Sequence, residues 1–430
     1  MGSILDKVAG GDRWKACKYE IGVTLKFSSG TTRKLEHSQI AGLYIEKDFD
    51  TDHLPVMMID LALNDIDEKN VDSSTEFHVQ IKQYYVTKAE GSKKSPKILL
   101  NDTFVRLNYG KNPDSNNKTI RKIRQENGYR DLDDVSMDDL ASQETYPLVR
   151  KSDLILSKNI VNANLVDVNQ LQILSFILQE GGLNKKYLLS NIMNSEVIHE
   201  VIVEPKGFLQ NLLQFEREYG WHEEGTCIFL DYDMLYLIRM NGVCTAWRQN
   251  EQKMLTFCIT DSTNDDATIP TGVLVKPDVV YFNIGSDNFL LSNASEMSDQ
   301  IEGHNMILNN TIDGSQSSIN GKGKSYSGRG SYQTKTYHGH NPYIANQQQR
   351  RTAERQNQVR MTCLNGDISF LTPNKAVQIL TDVSGFSKYF KTDSEGGYRL
   401  ASFKSSMIKN GDSFDNSTEI LVKRVQTPGK

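Results

Sequence analysis

Apolar and polar residues alternate in five stretches of the first 150 positions of this 430-residue chain. A period of two is the spacing of a strand with one buried face. In residues 14–27 it puts Tyr19, Ile21, Val23, Leu25 and Phe27 on one side. Residues 40–47 predict a second strand. A third is predicted in 54–64, where Met57, Ile59, Leu61 and Leu63 alternate against Met58, Asp60, Ala62 and Asn64. Residues 77–88 give a fourth, with Phe77, Val79 and Ile81 inward, and 98–105 a fifth. The Lys-, Ser- and Gly-rich stretch 90–97 reads as the hairpin tip between these two. Residues 1–150 are therefore expected to form an N-terminal antiparallel β-barrel or strongly curved sheet.

The period changes in residues 151–291, which predict a mixed α+β middle domain. Residues 152–168 read as a further β segment. Val168, Leu171, Ile173, Leu174 and Ile177 then recur at helical spacing until Gly181-Gly182 breaks the pattern. Residues 183–193 predict a second amphipathic helix with Tyr187, Leu188, Leu189 and Ile192 inward. Residues 197–203 alternate as a strand. The most clearly written stretch follows at 204–247, EPKGFLQNLLQFEREYGWHEEGTCIFLDYDMLYLIRMNGVCTAW. Pro205 suits a first helical turn, where its missing N–H is not needed. Phe208, Leu209, Leu212, Leu213 and Phe215 form an apolar stripe, and Gly220 ends the helix. Two short strands, 226–230 and 234–238, flank a turn at Asp231, Tyr232 and Asp233, and Gly242 turns the chain again before 243–247.

Residues 253–259, 273–275 and 279–284 predict more strands. At Ser292 the composition shifts to Asn, Ser, Gly, Gln and charge, and 292–358 reads as one long polar loop. Its centre, 321–339, has no aliphatic residue. A loop of that length is functional or disordered. Residues 359–430 predict a C-terminal β segment with strands at 359–364, 377–380, 398–403 and 420–425. They form either a small third domain or a return to the middle one. The expected class is α+β, mainly β, with antiparallel β-barrel domains and inserted helices.

The chemistry is sparse. The net charge of -5 and a pI near 6.0 argue against a general nucleic-acid binder, whose footprint is basic. No window of about 18 apolar residues is present, so no membrane span is expected. Five widely spaced cysteines, Cys17, Cys227, Cys244, Cys258 and Cys363, contain no CxxC pair and read as reduced, buried thiols. His338 and His340 sit in the polar loop without a third ligand. The acidic run 131–139 lacks the glycine and closing glutamate of a calcium loop. His222 beside Glu223 and Glu224 has no nucleophile near it in sequence, and Asp231 with Asp233 suits a turn better than acid–base work. Tyr326, Tyr332 and Tyr337 interleave with Lys322, Lys324, Arg329 and Lys335, a pattern that fits a protein partner or a nucleic acid; the acidic balance of the chain favours the protein. No HExxH, GxSxG, Walker or Rossmann fingerprint occurs. No catalytic, cofactor-binding or metal residue is assigned, and no enzyme activity is expected.

Three segments carry a family resemblance: LPVMMIDLALND from Leu54, FLQNLLQFEREYGWHEEGTCIFLDYDMLYLI from Phe208, and ISFLTPNKAVQIL with EGGYRLASF from Ile368 onward. Their order resembles the baseplate hub proteins of contractile-tailed phages, also related to the hub-like part of type VI secretion spikes. The resemblance implies tail-tube-like β-barrel domains in a homotrimer of pseudo-sixfold symmetry. Such a ring sits in the virion tail between a sixfold tail tube and a threefold central spike. It touches baseplate wedge and tape-measure proteins and lines a channel through which DNA passes without specific binding. Another tail component, a wedge or tube adaptor, and a tail-associated cell-wall hydrolase are the alternatives.

Overall fold

The computed structural model describes residues 4–86, 96–107, 143–190, 197–222, 225–240, 253–260, 272–293, 305–310, 316–319, 332–337, 347, 357–373, 375–383 and 397–424. After a short helix α1 (Ile4–Ala9), the N-terminal strands are β1 (Ala16–Lys26), β2 (Thr32–Lys34), β3 (Ile40–Asp48) and β4 (Val56–Ala62). A helix α2 (Asp65–Asn70) leads to β5 (Glu76–Val86), β6 (Lys97–Arg106) and β7 (Gln143–Arg150). The chain returns to them at its far end, through a hairpin of β22 (Tyr398–Asn410) and β23 (Ser413–Arg424). The neighbour order is β22, β3, β4, β7, β6, β5, β1, β23 and again β22, every pair antiparallel. This is a closed barrel of eight strands, which leaves no free edge within the ring.

Alternation explains the barrel. Cys17, Tyr19, Ile21, Val23 and Leu25 of β1 are buried, and their register partners Tyr85, Gln83, Ile81, Val79 and Phe77 stand beside them. Met57, Ile59, Leu61, Phe104, Tyr146, Phe403, Met407 and Phe414 join the same core. The interior is therefore filled with side chains and is no conduit. The expected strands in residues 1–150 are all present. The strands expected at 398–403 and 420–425 form neither a third domain nor part of the middle one; they close the first barrel. A pairing partner more than 300 residues away leaves no local mark in the sequence.

The β22–β23 hairpin also serves a second curved sheet. It is built from β13 (Met254–Thr260), β14 (Val273–Val275), β15 (Val279–Gly285), β16 (Phe289–Asn293), β20 (Asn357–Leu364) and β21 (Ala376–Thr381). Their order is β14-β15-β13-β21-β22 on one side of the hairpin and β23-β20-β16 on the other. In β22, Tyr398 and Arg399 pair with β21, while Ser402–Ile408 pair with β3. The register shifts between Leu400 and Ser402, so a bulge bends the strand where it passes from one sheet to the other. The hairpin turns at Gly411, whose φ of +60° is cheap only for glycine. The start of β1 spans the remaining gap: Lys15 bridges to Val273 of β14, and the Cys17 N–H donates to the Asn365 carbonyl beyond β20.

Between β7 and β13 lies an inserted unit. It comprises α3 (Lys151–Lys158), β8 (Ile160–Val168), α4 (Gln170–Glu180), β9 (Lys186–Leu189), β10 (Ile198–Gly207), α5 (Phe208–Glu218), β11 (Thr226–Leu230) and β12 (Met234–Arg239). Strands β8 and β10 form a two-stranded ribbon; β11, β12 and β9 form a small mixed sheet. Three expectations are corrected here. Residues 151–158 are helical, because the inward positions are Asp153 and Leu156, and a search for apolar spacing skips the aspartate. Residues 186–189 are a strand, because β12 needs a partner and takes it in parallel register, Leu235 beside Tyr187. Pro205 lies in β10, at the bulge between Val203 and Lys206 where no ladder N–H is required, and α5 begins three residues later.

The polar stretch 292–358 is not one loop. It contains β17 (Asn305–Asn310), β18 (Gln316–Ile319) and β19 (Tyr332–Tyr337), a separate three-stranded sheet with β17 central. Polar side chains do not prevent a ladder, because its bonds are made by the backbone.

Candidate assembly surfaces and buried charge clusters

The stretch 204–247 builds the joint between the inserted unit and the barrel. Helix α5 turns Phe208, Leu209, Leu212 and Phe215 inward. It ends at Tyr219-Gly220, with Gly220 at φ +76°, and Trp221 folds back under it. The Trp221 indole donates to the Leu212 carbonyl (3.0 Å) and lies against Phe215, 4.3 Å between centroids. Buried Glu216 accepts from three donors, the backbone N–H of Trp221 (2.7 Å), the N–H of Thr226 (3.0 Å) and the Thr226 hydroxyl (2.9 Å). One carboxylate therefore fixes helix, turn and β11 together. The hairpin is apolar on both faces. Ile228, Leu230, Leu235 and Leu237 meet α5, while Cys227, Phe229, Tyr236 and Ile238 meet the core shared by the barrel and the second sheet. Phe229 packs edge-on against Phe49, 4.9 Å away, in the turn after β3.

Charges ring this apolar seam. Asp231 accepts from the Lys47 ammonium at 2.7 and 2.8 Å, and Lys47 also lies 4.9 Å from the Tyr232 ring centroid. Arg150 at the end of β7 pairs with Asp102 at 2.6 Å and donates to the Tyr232 carbonyl. Lys185 pairs with Asp153, and burial pushes that carboxyl up and that ammonium down against their mutual attraction. Three barrel strands and four points of the insert are tied this way. Sequence reading placed Asp231 and Asp233 in a turn, and they are in one. It missed that Asp231 is buried and paired with a lysine 184 residues away.

A second cluster sits where β22 changes sheets. Arg399, fully buried, makes a two-pronged pair with Asp50, at 2.7 and 3.1 Å, and Lys423 joins it. These two cations hold the Asp50 carboxyl down at about 2 although burial alone would raise it. A buried charge of this kind costs little while paired and much when its partner is removed.

His222 is buried, and its Nδ1 lies 2.8 Å from the Thr226 hydroxyl, while its carbonyl accepts from Gln347 (3.0 Å). Burial, with the nearby charge of Arg239, lowers its pKa to about 4. Cys17, Cys227, Cys258 and Cys363 are buried free thiols. Cys244, Glu223, Glu224, His338, His340 and the acidic run 131–139 lie outside the described residues. Among the described residues, no group of three His, Cys, Asp or Glu side chains gathers as a metal site, and no helix is long and apolar enough to cross a membrane.

The outer surfaces of the two regions differ. Of ten exposed large apolar side chains among the described residues, seven lie in the insert: Ile155, Ile160, Val166, Leu171, Tyr187, Val197 and Ile202. Ile160, Val166 and Ile202 share the β8–β10 ribbon, which pairs with no other described strand.

No protein-family model matches the chain, and no curated protein matches its sequence. Solved structures do match. The tail protein from Neisseria meningitidis MC58 aligns over 94% of this chain and 97% of its own length, with a TM-score of 0.50 and 10% identity. The 43 kDa tail protein of prophage MuSo2 from Shewanella oneidensis aligns over 94% and 98%, at a TM-score of 0.46 and 11% identity. A chain of the Francisella PdpA-VgrG complex is matched over 99% of this chain and 56% of that one, at 0.45 and 11%. The first likeness shows a common fold over almost the whole of both chains. The fold is that of this tail protein, in keeping with the tail-protein fold that the resemblance implied.

Proposed function

We propose that this chain is a structural hub of a phage tail baseplate, with no catalytic step of its own. In this reading three copies form a ring that adapts the sixfold tail tube to the threefold central spike. Wedge and tape-measure proteins adjoin it, and DNA passes through its middle. The observation that carries the reading is the near full-length fold shared with the Neisseria tail protein.

The geometry supports it in two ways. Each chain carries one closed barrel and one further curved sheet on a common hairpin, so three chains present six β units to a sixfold tube. The barrel core is packed solid, so any channel must run between subunits and be lined by outward faces. On β1 and β5 those faces offer Lys18, Lys26 and Lys82, but Lys18 pairs with Asp415, Lys26 pairs with Glu76 and Glu20 stands level with Lys82, so they give no continuous basic track for phosphates. The test is electron microscopy of tail particles carrying a tagged copy. Three copies at the junction of tube and spike are expected. A label on the outer baseplate arms would assign it to the wedge, and clearing of peptidoglycan by the purified chain would make it a hydrolase.

A further inference from the structure

The two edges of the β8–β10 ribbon are built differently. Strand β10 carries a bulge between Val203 and Lys206, with Pro205 inside it. A bulge, a proline and a lysine are the devices that keep a sheet edge from accepting another strand. Strand β8 has none of them. Its nine residues, IVNANLVDV, contain no Pro, Gly, Lys or Arg, and Asp167 near the end is its one charge. The Val161 carbonyl takes the Asn211 amide at 2.9 Å. From Asn162 to Val168, no backbone group bonds outside the ribbon among the described residues. An unguarded apolar edge of this length is one that its working state covers.

The side chains along β8 say what kind of strand fits. On its inner face Val161 is buried in the core of the insert, while Ala163 and Leu165 are only partly covered. On its outer face Asn162, Asn164 and Val166 are exposed. Ile202 stands level with Asn164 and Glu200 with Val166, so Val166 and Ile202 are diagonal neighbours, 62% and 67% exposed. The Asn164 amide donates to Glu200 at 3.1 Å, which draws that carboxylate over β8. Asp167 meets His199 and Glu204 pairs with Lys206, but Glu200 forms no ion pair among the described residues. We propose that β8 is the docking edge for a strand of another protein, one that alternates aliphatic with basic residues. Its backbone extends the ladder along Asn162–Val168. Its aliphatic side chains continue the inner row beyond Ala163 and Leu165. Its lysines or arginines lay their stems over Val166 and bring a charge to Glu200. The inference stands on the ribbon and does not require the hub reading. A trimer that binds no such strand removes this inference alone, and a monomer that binds one removes that reading alone.

The test uses the full chain and a labelled, end-blocked octapeptide of alternating valine and lysine, followed by fluorescence anisotropy. Saturable binding is expected. The same peptide with glutamate in place of lysine should bind about tenfold more weakly, because it meets Glu200 with like charge. The valine–lysine peptide with every backbone N–H methylated should lose about as much, because it cannot donate to the ladder. Val166→Lys gives the edge the charge it lacks. At an exposed position it should leave the melting midpoint unchanged and weaken binding about tenfold. Glu200→Gln should narrow the preference for lysine over glutamate. No binding of the valine–lysine peptide would overturn the proposal. So would equal binding of the methylated peptide, which would mean attraction between charges without a ladder. If Val166→Lys converted a self-assembled natural protein into single chains, the occupant would be a second copy of this chain, and docking of another protein would be refuted.

Discussion

The eight-stranded barrel and the inserted unit solve the same burial problem with different means. The barrel closes on itself, so its backbone bonds are satisfied and its outward side chains can be polar. The insert has three helices, a ribbon and a three-stranded sheet, too little to close. It is held by a hairpin apolar on both faces, by Glu216 and by the ring of charges around Asp231. It also shows most of the exposed apolar surface. Closure makes a stable, self-contained unit; the lack of it leaves a unit that depends on its seam and has apolar surface to spare.

Asp50→Ala should break this contrast most severely. It leaves Arg399 buried and unpaired at the point where both sheets share β22. A loss of about 3–5 kcal/mol is expected, measured by denaturant unfolding, with both sheets affected together. Trp221→Ala comes next, at about 3–4 kcal/mol for a large buried aromatic. Hydrogen exchange should show the insert losing protection while barrel strands keep theirs. Equal loss in β1 and β5 would mean that the two regions fold as one.

Acid should separate the regions by pH. His222 has a folded pKa below its unfolded value, so its contribution is complete above about 6.5 and is lost as pH falls towards about 4. That window is worth up to about 3 kcal/mol, because each tenfold change in proton affinity corresponds to about 1.4 kcal/mol. Asp50 is also depressed, so its contribution persists to about pH 4 and fades as pH falls towards about 2. The insert is therefore expected to loosen first, followed by the junction of the sheets, in circular dichroism combined with tryptophan fluorescence. His222→Gln should remove the upper step only. The smallest effect is expected from Ile202→Thr on the outer face of the ribbon, within about 0.5 kcal/mol, since that side chain is already exposed.

The same contrast explains what could be read from the sequence. Tyr19, Ile21, Val23 and Leu25 announced their strand because one face meets the core and the other does not. In β13 every residue from Leu255 to Thr260 is buried, since α1 lies over its outer side, and the alternation disappears. There the strand was legible only as a short apolar run. Helix α5 and its hairpin were legible to within three residues. The helix at Asp153 and the strand at Tyr187 were not, because a buried ion pair and a distant β-partner decide them. The charge clusters were invisible for the same reason: Lys47 and Asp231, or Asp50 and Arg399, look like ordinary surface residues until the fold brings them together.

The hub account depends most on three copies making one ring. Light scattering of the purified chain, coupled to size exclusion, tests this directly. The account predicts a single species of three times the 48.6 kDa chain mass, resolved by imaging as a threefold ring with an open centre. A monodisperse species of one chain mass at every concentration tried would contradict it.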